Sequence, residues 1–261
     1  MGLIRKQYRV IALLDNDAAK WSDTVEGILV CNPDIILKAE YDKIVIATSC
    51  GLNPIIEQLI GMGVSLERID INYPLAAEKP RILFLEKLGE LFREQKIPGC
   101  VAEAGIFQGE FAKEINRVFP ERKFFLFDTF TGFDRRDIAY DQKHLFSQRG
   151  MEYYSAASET LVLRKMPHPD TCVIRKGYFP ETAAGLNETF CFVNLDFDLY
   201  QPTLAGLEYF FPRMATGGVI LVHDYFSDEY KGVSEAVVEF AGKTALQLFP
   251  IGDLFSVGIL C

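Results

Sequence analysis

FVNLDFDLYQPT (residues 192–203), followed by GGVILVHDY (residues 217–225), is the stretch that decides the fold. Each segment starts with an apolar run of strand length and lies beside helix signals, which is typical of central strands in a parallel sheet. Four polar side chains come where these strands end: Asp196, Asp198, His223 and Asp224. Because ligands bind at the carboxyl ends of such strands, near the switch point of the strand order, we expect these side chains to share one functional edge.

The rest of the larger part of the chain repeats the alternation of strand and helix. Strands are predicted at residues 100–106, 123–128, 172–175, 190–197 and 218–223. Helices are predicted near residues 109–118, 156–165, 203–211 and 232–242. The last two strands, 246–251 and 254–260, are too close in sequence for a parallel crossover and must pair antiparallel. The pattern indicates an α/β fold with a parallel sheet that ends in an antiparallel hairpin.

The first 72 residues have a different organisation, with short strands and helices that predict a small parallel sheet. They resemble a Rossmann-like α/β module that is incomplete, because the glycine-rich turn after a first strand is missing. Either the natural chain is longer at its N-terminus or this half-domain has lost nucleotide binding. Residues 73–80 are predicted to be a linker, and residues 81–261 a second, larger domain.

Composition limits the classes of partner. The chain has 261 residues, a formal net charge of −9 and 49% hydrophobic residues, and it lacks a basic stripe, so nucleic acid is not expected as a partner. Its apolar runs are strand-sized, so no membrane span is expected. The six cysteines (Cys31, Cys50, Cys100, Cys172, Cys191 and Cys261) form no C-x-x-C pair. Reduced, packed thiols in a cytoplasmic protein are the interpretation that we favour.

Two strand ends point to a cofactor. VAEAGIFQGEFA (residues 101–112) runs from a strand into a helix through Glu103, Gly105 and Gly109, so main-chain atoms can approach a ligand closely. Asp128 ends the next strand about twenty residues later, where an acidic residue commonly binds ribose hydroxyls. Each motif alone also fits a simple tight turn or a loop cap. Together they predict a nucleoside-type cofactor.

Aromatic residues accompany this predicted site. Gly177, Tyr178 and Phe179 follow a third strand and either flank an adenine ring or pack beneath a loop. The segment 129–155 shows no clear periodicity, and a connection of that length is usually either a lid over an active site or disordered. Its residues Phe146, Tyr153 and Tyr154 offer ring faces on which a sugar can stack.

Six sequence blocks occur in an order that resembles a known family. They are VAEAGIFQGEFA, LFDTFTGF, GYFPET, VNLDFDLYQPTLAGLEYFFPRM, GGVILVHDY and GVSEAVVEF. Residues 81–261 are similar to the macrocin-type (TylF-like) sugar O-methyltransferases, which use S-adenosylmethionine. The resemblance implies a class I methyltransferase (Rossmann-like) sheet with a C-terminal antiparallel hairpin and, commonly, Mg2+ at the active site.

The resemblance also assigns roles to residues. It implies that Glu103, Gly105 and Gly109 shape the S-adenosylmethionine pocket, that Asp128 holds the ribose, and that Asp196 and Asp224 lie at metal-ligand positions. Relatives usually have two adjacent aspartates where this chain has His223-Asp224. Imidazole suits transition metals better than Mg2+. Three alternatives therefore stay open. The two aspartates hold Mg2+ with waters, or the ion is Mn2+, Fe2+ or Zn2+ with His223 among its ligands, or no metal is bound.

The expected reaction is methyl transfer from S-adenosylmethionine to a sugar hydroxyl. Asp196 and Asp224 are expected to position the acceptor, and His223 or Asp198 to take its proton. His223 could instead be a strand-end histidine that is hydrogen-bonded to the backbone. Asp198 could instead cap the following helix or form a structural ion pair. The expected partners are a small-molecule or glycan acceptor and further copies of the chain in a homo-oligomer. Two other functions are considered: a silent cofactor-binding or docking protein, and a nicotinamide oxidoreductase, which the form of the glycine turn disfavours.

Overall fold

The computed structural model describes residue 4 and residues 7–48, 52–151 and 154–261, which form two compact units, Met1–Glu78 and Lys79–Cys261. The elements of the first unit are short: β1 (Leu13–Leu14), β2 (Thr24–Val25), β3 (Ile28–Cys31), β4 (Ile44–Val45), α1 (Leu52–Gly61) and β5 (Ile69–Asp70). Single 3-10 turns lie at Ala18–Lys20, Pro33–Leu37 and Leu66–Arg68.

The first unit corrects the prediction of one small parallel sheet. Strand β3 pairs parallel with β1 and antiparallel with β2, while β4 and β5 form a separate parallel pair. The antiparallel hairpin forms because Glu26 and Gly27 both adopt positive φ, 50° and 78°, in a two-residue turn that matches the strand twist. Glu-Gly is not one of the common hairpin signals, so the sequence pattern did not reveal β2.

Helix α2 spans Asn72–Glu94 and corrects the predicted linker at residues 73–80. This segment contains two prolines, Pro74 and Pro80. Pro74 lies in the first helical turn, where no intrahelical N–H is needed, and the long helix continues through Pro80. The division between the two units falls inside this helix, between Glu78 and Lys79. The domain boundaries themselves stay predictions.

A seven-stranded sheet forms the centre of the second unit. Its strands are β6 (Cys100–Ala104), β7 (Phe124–Asp128), β8 (Cys172–Lys176), β9 (Phe190–Leu195), β10 (Met214–Val222), β11 (Gln247–Pro250) and β12 (Val257–Leu260). Their order is β11-β12-β10-β9-β6-β7-β8, and only β12 with its two neighbours is antiparallel. The chain proceeds outwards from β6 to β8 on one side and from β9 to β10 on the other, and it then forms the edge strand β11 before β12 returns beside β10. The switch point therefore lies between β6 and β9, and the predicted parallel sheet with a terminal antiparallel hairpin is confirmed.

Five further helices cover this sheet: α3 (Glu110–Val118), α4 (Arg135–His144), α5 (Glu159–Lys165), α6 (Tyr200–Phe210) and α7 (Lys231–Ala241). Four of them match the predicted helices. Helix α4 lies within residues 129–155, a segment in which the sequence pattern predicted no helix. Its first turn is capped by the Asp134 carboxylate, which accepts a hydrogen bond from the Arg136 N–H at 2.9 Å.

The core lies on both faces of the sheet, because residues of the central strands alternate between two apolar clusters. Along β7, Phe125 and Phe127 pack on one face and Phe124 and Leu126 on the other, all fully buried. Burying one such side chain contributes roughly 2 kcal/mol. In β6, β7 and β9, the polar side chains Glu103, Asp128 and Asn194 all come near the carboxyl end of the strand, which is where the site lies. None of the described helices combines the length and the apolar composition that a membrane crossing requires.

Candidate active site

A glycine turn joins β6 to α3 at the switch point of the sheet. Gly105 and Gly109 both have left-handed backbones, with φ of +84° and +80°. A Cβ atom on Gly105 would lie 1.9 Å from the carbonyl oxygen of Asp196 at the end of β9. Only glycine permits this approach, so the turn and the acidic rim are adjacent parts of one site.

Asp128 lies at the end of β7 and holds this turn in place. Its Oδ2 atom accepts hydrogen bonds from the backbone N–H groups of Ile106 at 2.7 Å and Phe107 at 2.9 Å. Its Oδ1 atom accepts one from the N–H of Phe130 at 2.6 Å. Oδ1 keeps capacity for a second donor. Contact with a ribose stays a prediction, and ordering of the glycine turn is the role that the contacts establish.

A buried polar network connects β6, β9 and α2. The Oε1 atom of Glu103 accepts a hydrogen bond from Asn194 Nδ2 at 2.8 Å. Asn194 Oδ1 in turn accepts one from Arg81 Nη2 at 3.0 Å, and the same Nη2 donates to Asp196 Oδ2 at 3.1 Å. Two polar atoms of the network, Glu103 Oε2 and Arg81 Nε, are buried without a partner. Such atoms are costly unless a ligand or water satisfies them.

The burial of Glu103 changes its acidity. The residue is 2% exposed. Burial raises its pKa to about 8, with Asp196 adding to the rise and Arg81 opposing it. At neutral pH the cofactor-free protein therefore holds Glu103 largely protonated, and a cationic ligand would favour its ionised form.

Replacing Glu103 by glutamine is expected to remove a pH dependence of stability. The pKa of Glu103 rises from its ordinary value of 4.5 to about 8 on folding. Between these two pH values the folded state binds a proton that the unfolded state has lost, so the protein loses stability as the pH rises. The unfolding free energy of the wild type relative to Glu103→Gln should fall by roughly 3 kcal/mol between about pH 5 and about pH 7.5. Urea unfolding of the cofactor-free proteins measures it, with the exposed Glu94→Gln as control. Equal pH profiles for wild type and Glu103→Gln would contradict the raised pKa.

Asp196, His223 and Asp224 form the centre of the acidic rim. His223 Nδ1 lies 3.0 Å from Asp196 Oδ1 and 2.9 Å from Asp224 Oδ2. Burial opposes an imidazolium, but the two carboxylates outweigh it and raise the pKa of His223 to about 10. Burial would likewise raise the pKa of Asp196, but His223 and Arg81 hold it well below its usual range. The cluster is thus a chain of alternating charges: guanidinium, carboxylate, imidazolium, carboxylate.

The same three residues provide a plausible donor set for a divalent ion. One ligand atom from each of Asp196, His223 and Asp224 lies within 4.8 Å of the others. Two carboxylates and an imidazole suit Mn2+, Fe2+ or Zn2+ better than Mg2+. Metal binding would require His223 to lose the Nδ1 proton that the two carboxylates now share. The residues fit a transition-metal ion under that condition.

Asp198 lies beside Asp224 in the same rim, within hydrogen-bonding reach of that carboxyl group. It is 9% exposed, and its backbone has a left-handed φ of 64°. Burial and the nearby carboxylates of Asp224 and Asp196 raise its pKa well above the usual range. The hydroxyl groups of Tyr154 and Tyr230 lie 3.2 Å apart. Burial is the main cause that raises the pKa of each tyrosine, and the charge of Asp198 is the second. Asp198 therefore belongs to a tyrosine-lined side of the site.

Gly177 and Tyr178 lie at the end of β8, as predicted. Gly177 has a φ of +130°. Tyr178 donates a hydrogen bond to Asp137 Oδ1 at 2.9 Å, and the Arg136 guanidinium covers its ring at 3.5 Å. Phe179 is 4% exposed and belongs to the core. Tyr178 therefore packs against α4, whereas the Phe179 ring contacts Phe127, Phe197, Tyr209 and Phe210. A contact with adenine stays a prediction.

Two of the three aromatic residues predicted to stack on a sugar lie among the described residues, and they have different ring neighbours. Phe146 packs against Tyr200 and His144, with ring centroids 5.5 Å and 5.6 Å away. The ring centroid of Tyr154 lies 5.0 Å from that of Phe107 in the glycine turn. Tyr153 lies outside the described residues. Of the two described rings, Tyr154 is the one that contacts the glycine turn.

Sequence reasoning missed Arg81 and Asn194. Asn194 had a detectable signal, because an amide inside the apolar strand FVNLD must find a buried partner. Arg81 had none, since it is one of several charged residues on a helix and its partners are more than a hundred positions away.

Comparisons with known proteins agree with this geometry. A family model described as macrocin-O-methyltransferase (TylF) matches residues 74–257. A second model, described as C2185-like, N-terminal, matches residues 1–70. None of the curated proteins compared matches the chain.

Among solved structures, the O-methyltransferase NovP has a TM-score of 0.61 at 23% identity, over 81% of this chain and 98% of that chain. The calicheamicin methyltransferase CalS11 has a TM-score of 0.55 at 19% identity, over 85% of this chain and 97% of that chain. At these identities the likeness shows the fold, whereas the family match spans most of the chain. The chain therefore belongs to the macrocin O-methyltransferase (TylF) family and is an S-adenosylmethionine-dependent O-methyltransferase, as its sequence predicted.

Proposed function

We propose that this enzyme methylates a hydroxyl group of a sugar, in the assembly of a glycan or a natural product. The observation that supports it most is the adjacency of two half-sites at the switch point. The glycine turn at Gly105 touches the backbone of Asp196, the first residue of the acidic rim. A donor bound at the turn and an acceptor bound at the rim would therefore be neighbours, as direct transfer requires.

The donor half-site suits S-adenosylmethionine. Glu103 Oε2 is a buried carboxyl oxygen without a partner, and the donor carries an ammonium group that such an oxygen can bind. Gly105 and Gly109 allow close approach of the backbone, and Asp128 retains capacity for a ribose hydroxyl. Bound there, S-adenosylmethionine supplies an electrophilic methyl group on a cationic sulfur.

The acceptor half-site supplies orientation and a base. The hydroxyl oxygen bonds to the methyl carbon while the carbon–sulfur bond breaks, and the hydroxyl proton passes to a carboxylate. In the metal-free rim, Asp196 is a weak base because His223 and Arg81 lower its pKa, and His223 holds its own proton with a pKa of about 10. Asp198, whose pKa is raised, is the more basic group once ionised. We assign Asp198 as the proton acceptor and Asp196 as the group that orients the acceptor.

Asp196, His223 and Asp224 would hold the divalent ion of a metal-assisted reaction. Such an ion lowers the pKa of a hydroxyl group bound to it. Of the choices left open by the sequence, a transition-metal ion fits the donor set best.

A cytoplasmic location is part of the proposal. The described cysteines are all free thiols: Cys31, Cys100, Cys172, Cys191 and Cys261. Cys50 lies outside the described residues. Unpaired thiols are usual where the compartment is reducing.

Turnover on a panel of acceptors tests the function. The purified enzyme would be incubated with S-adenosylmethionine and nucleotide sugars, glycosides or phenolic acceptors, with product detection by mass spectrometry. Methylation of a sugar acceptor supports the proposal. Binding of S-adenosylhomocysteine without turnover on any sugar, or a preference for the phenols, would contradict it.

Removal of metal is expected to lower turnover at least about tenfold, because the ion would acidify the acceptor hydroxyl. After treatment with EDTA, added Mn2+ should restore the rate better than Mg2+. Calorimetry with S-adenosylhomocysteine is the control and should be unaffected. Turnover that EDTA leaves unchanged would exclude a required exchangeable ion.

A further inference from the structure

Arg81 is held more rigidly than a solvent-facing arginine. Its side chain is 12% exposed. One nitrogen of the guanidinium, Nη2, donates to both Asn194 and Asp196, and the Cζ atom lies 3.8 Å from the ring centroid of Phe111 on α3. A planar group fixed at one nitrogen and stacked on a ring has little freedom to turn.

This contact determines how Asp196 is oriented. Arg81 occupies the Oδ2 atom at 3.1 Å, and His223 Nδ1 occupies the Oδ1 atom at 3.0 Å. A quarter-turn of the carboxylate about its Cβ–Cγ bond would break the contacts with Arg81 and His223. Arg81 thus holds the plane of the carboxylate so that one oxygen atom lies towards His223.

The same guanidinium reaches the donor half-site. Through Asn194 it is linked to Glu103, which is the buried carboxyl group beside the glycine turn. Asn194 uses its oxygen for Arg81 and its nitrogen for Glu103, so its amide orientation is defined at both ends. One cation on α2 therefore connects the carboxyl groups of both half-sites.

We propose that Arg81 is a positioning residue for methyl transfer, whose guanidinium aims Asp196 at the acceptor and couples it through Asn194 to Glu103. This inference rests on the proposed function, since the acceptor half-site must do chemistry for the orientation of Asp196 to affect a rate. Arg81 donates no proton and touches no reacting atom.

Arg122 offers a matched control for burial. Its side chain is also 12% exposed. Its guanidinium donates to the backbone carbonyl groups of Gly99 at 2.7 Å and Ile97 at 2.8 Å, just before β6 begins. Arg122→Met should therefore cost stability without affecting the rim at the opposite ends of the strands.

The test compares Arg81→Met, Arg81→Lys and Arg122→Met with the wild type. Arg81→Met is expected to lower kcat per S-adenosylhomocysteine-binding site about 100-fold, because small misplacement of reacting groups has effects of this size. Arg81→Lys should recover part of the loss, since an ammonium restores the charge but not the planar group that lies over Phe111. Arg122→Met should lower the melting temperature and leave kcat per binding site unchanged.

The outcomes separate this inference from the proposed function. If Arg81→Met keeps the wild-type kcat per binding site, or loses no more than Arg122→Met, Arg81 is merely structural. If the wild type methylates no sugar acceptor, the proposed function fails. Crystal structures of the wild type and of Arg81→Met would then test whether Arg81 orients Asp196. Asp196 in the same orientation in wild type and Arg81→Met would overturn the inference, and an Asp196 turned away from His223 would support it.

Discussion

Replacing Asp196 by asparagine is expected to lower kcat about a thousandfold while leaving the affinity for S-adenosylhomocysteine unchanged. The variant keeps the shape of the side chain and removes its charge. Asp196 is the one carboxylate of the rim that contacts both described cations of the cluster, His223 and Arg81. Both of its oxygen atoms accept from a cation, and an asparagine would present an amide donor to one of them.

The loss should appear in the chemical step and not in cofactor binding. Glu103 and the glycine turn belong to β6 and the loop that follows it. The variant changes only the side chain of Asp196, so the backbone that meets Gly105 stays the same. Single-turnover rates and calorimetry with S-adenosylhomocysteine separate the two steps. Asp170→Asn, at an exposed position, is the control. Full turnover by Asp196→Asn with normal cofactor binding would remove Asp196 from the mechanism.

The sequence was sufficient for the sheet because apolar run length and connection length are local properties. The runs ending at Leu195 and Val222 had to be central strands, and their carboxyl ends had to meet. Asp196, His223 and Asp224 were consequently predicted to cluster, and the distances agree. The same reasoning could not supply Arg81, because a salt bridge between an α2 side chain and a strand end leaves no periodic trace.

Helix α4 shows a second limit of pattern reasoning. Its sequence, RRDIAYDQKH, has too few apolar residues to show helical periodicity. The face that it buries includes carboxyl groups: Asp137 accepts from the Tyr178 hydroxyl at 2.9 Å, and Asp141 from the Tyr200 N–H at 3.2 Å. Burial raises the pKa of Asp141 to about 7. A helix that packs through carboxyl groups looks like a solvated loop when only hydrophobicity is counted.

Replacing Gly105 by alanine is expected to damage both half-sites at once. The added Cβ would lie 1.9 Å from the carbonyl oxygen and 2.6 Å from the carbonyl carbon of Asp196, which are backbone atoms that cannot rotate away. The left-handed φ adds about 1 kcal/mol of strain, and forced separation of β6 and β9 brings the total loss of stability to about 3 kcal/mol or more.

Gly252→Ala isolates the clash from the strain. Gly252 has nearly the same backbone, with φ of +85° against +84°, and a Cβ there would meet no atom within 4 Å. The Gly252→Ala variant should therefore lose only the stability that the left-handed conformation costs, and it should keep its activity. Gly105→Ala should in addition lose S-adenosylhomocysteine binding by calorimetry and turnover with any acceptor, because the displaced Asp196 leaves Arg81 and His223. If the two variants prove equally stable and equally active, β6 and β9 do not meet as described, and the adjacency of donor and acceptor half-sites would lose its structural basis.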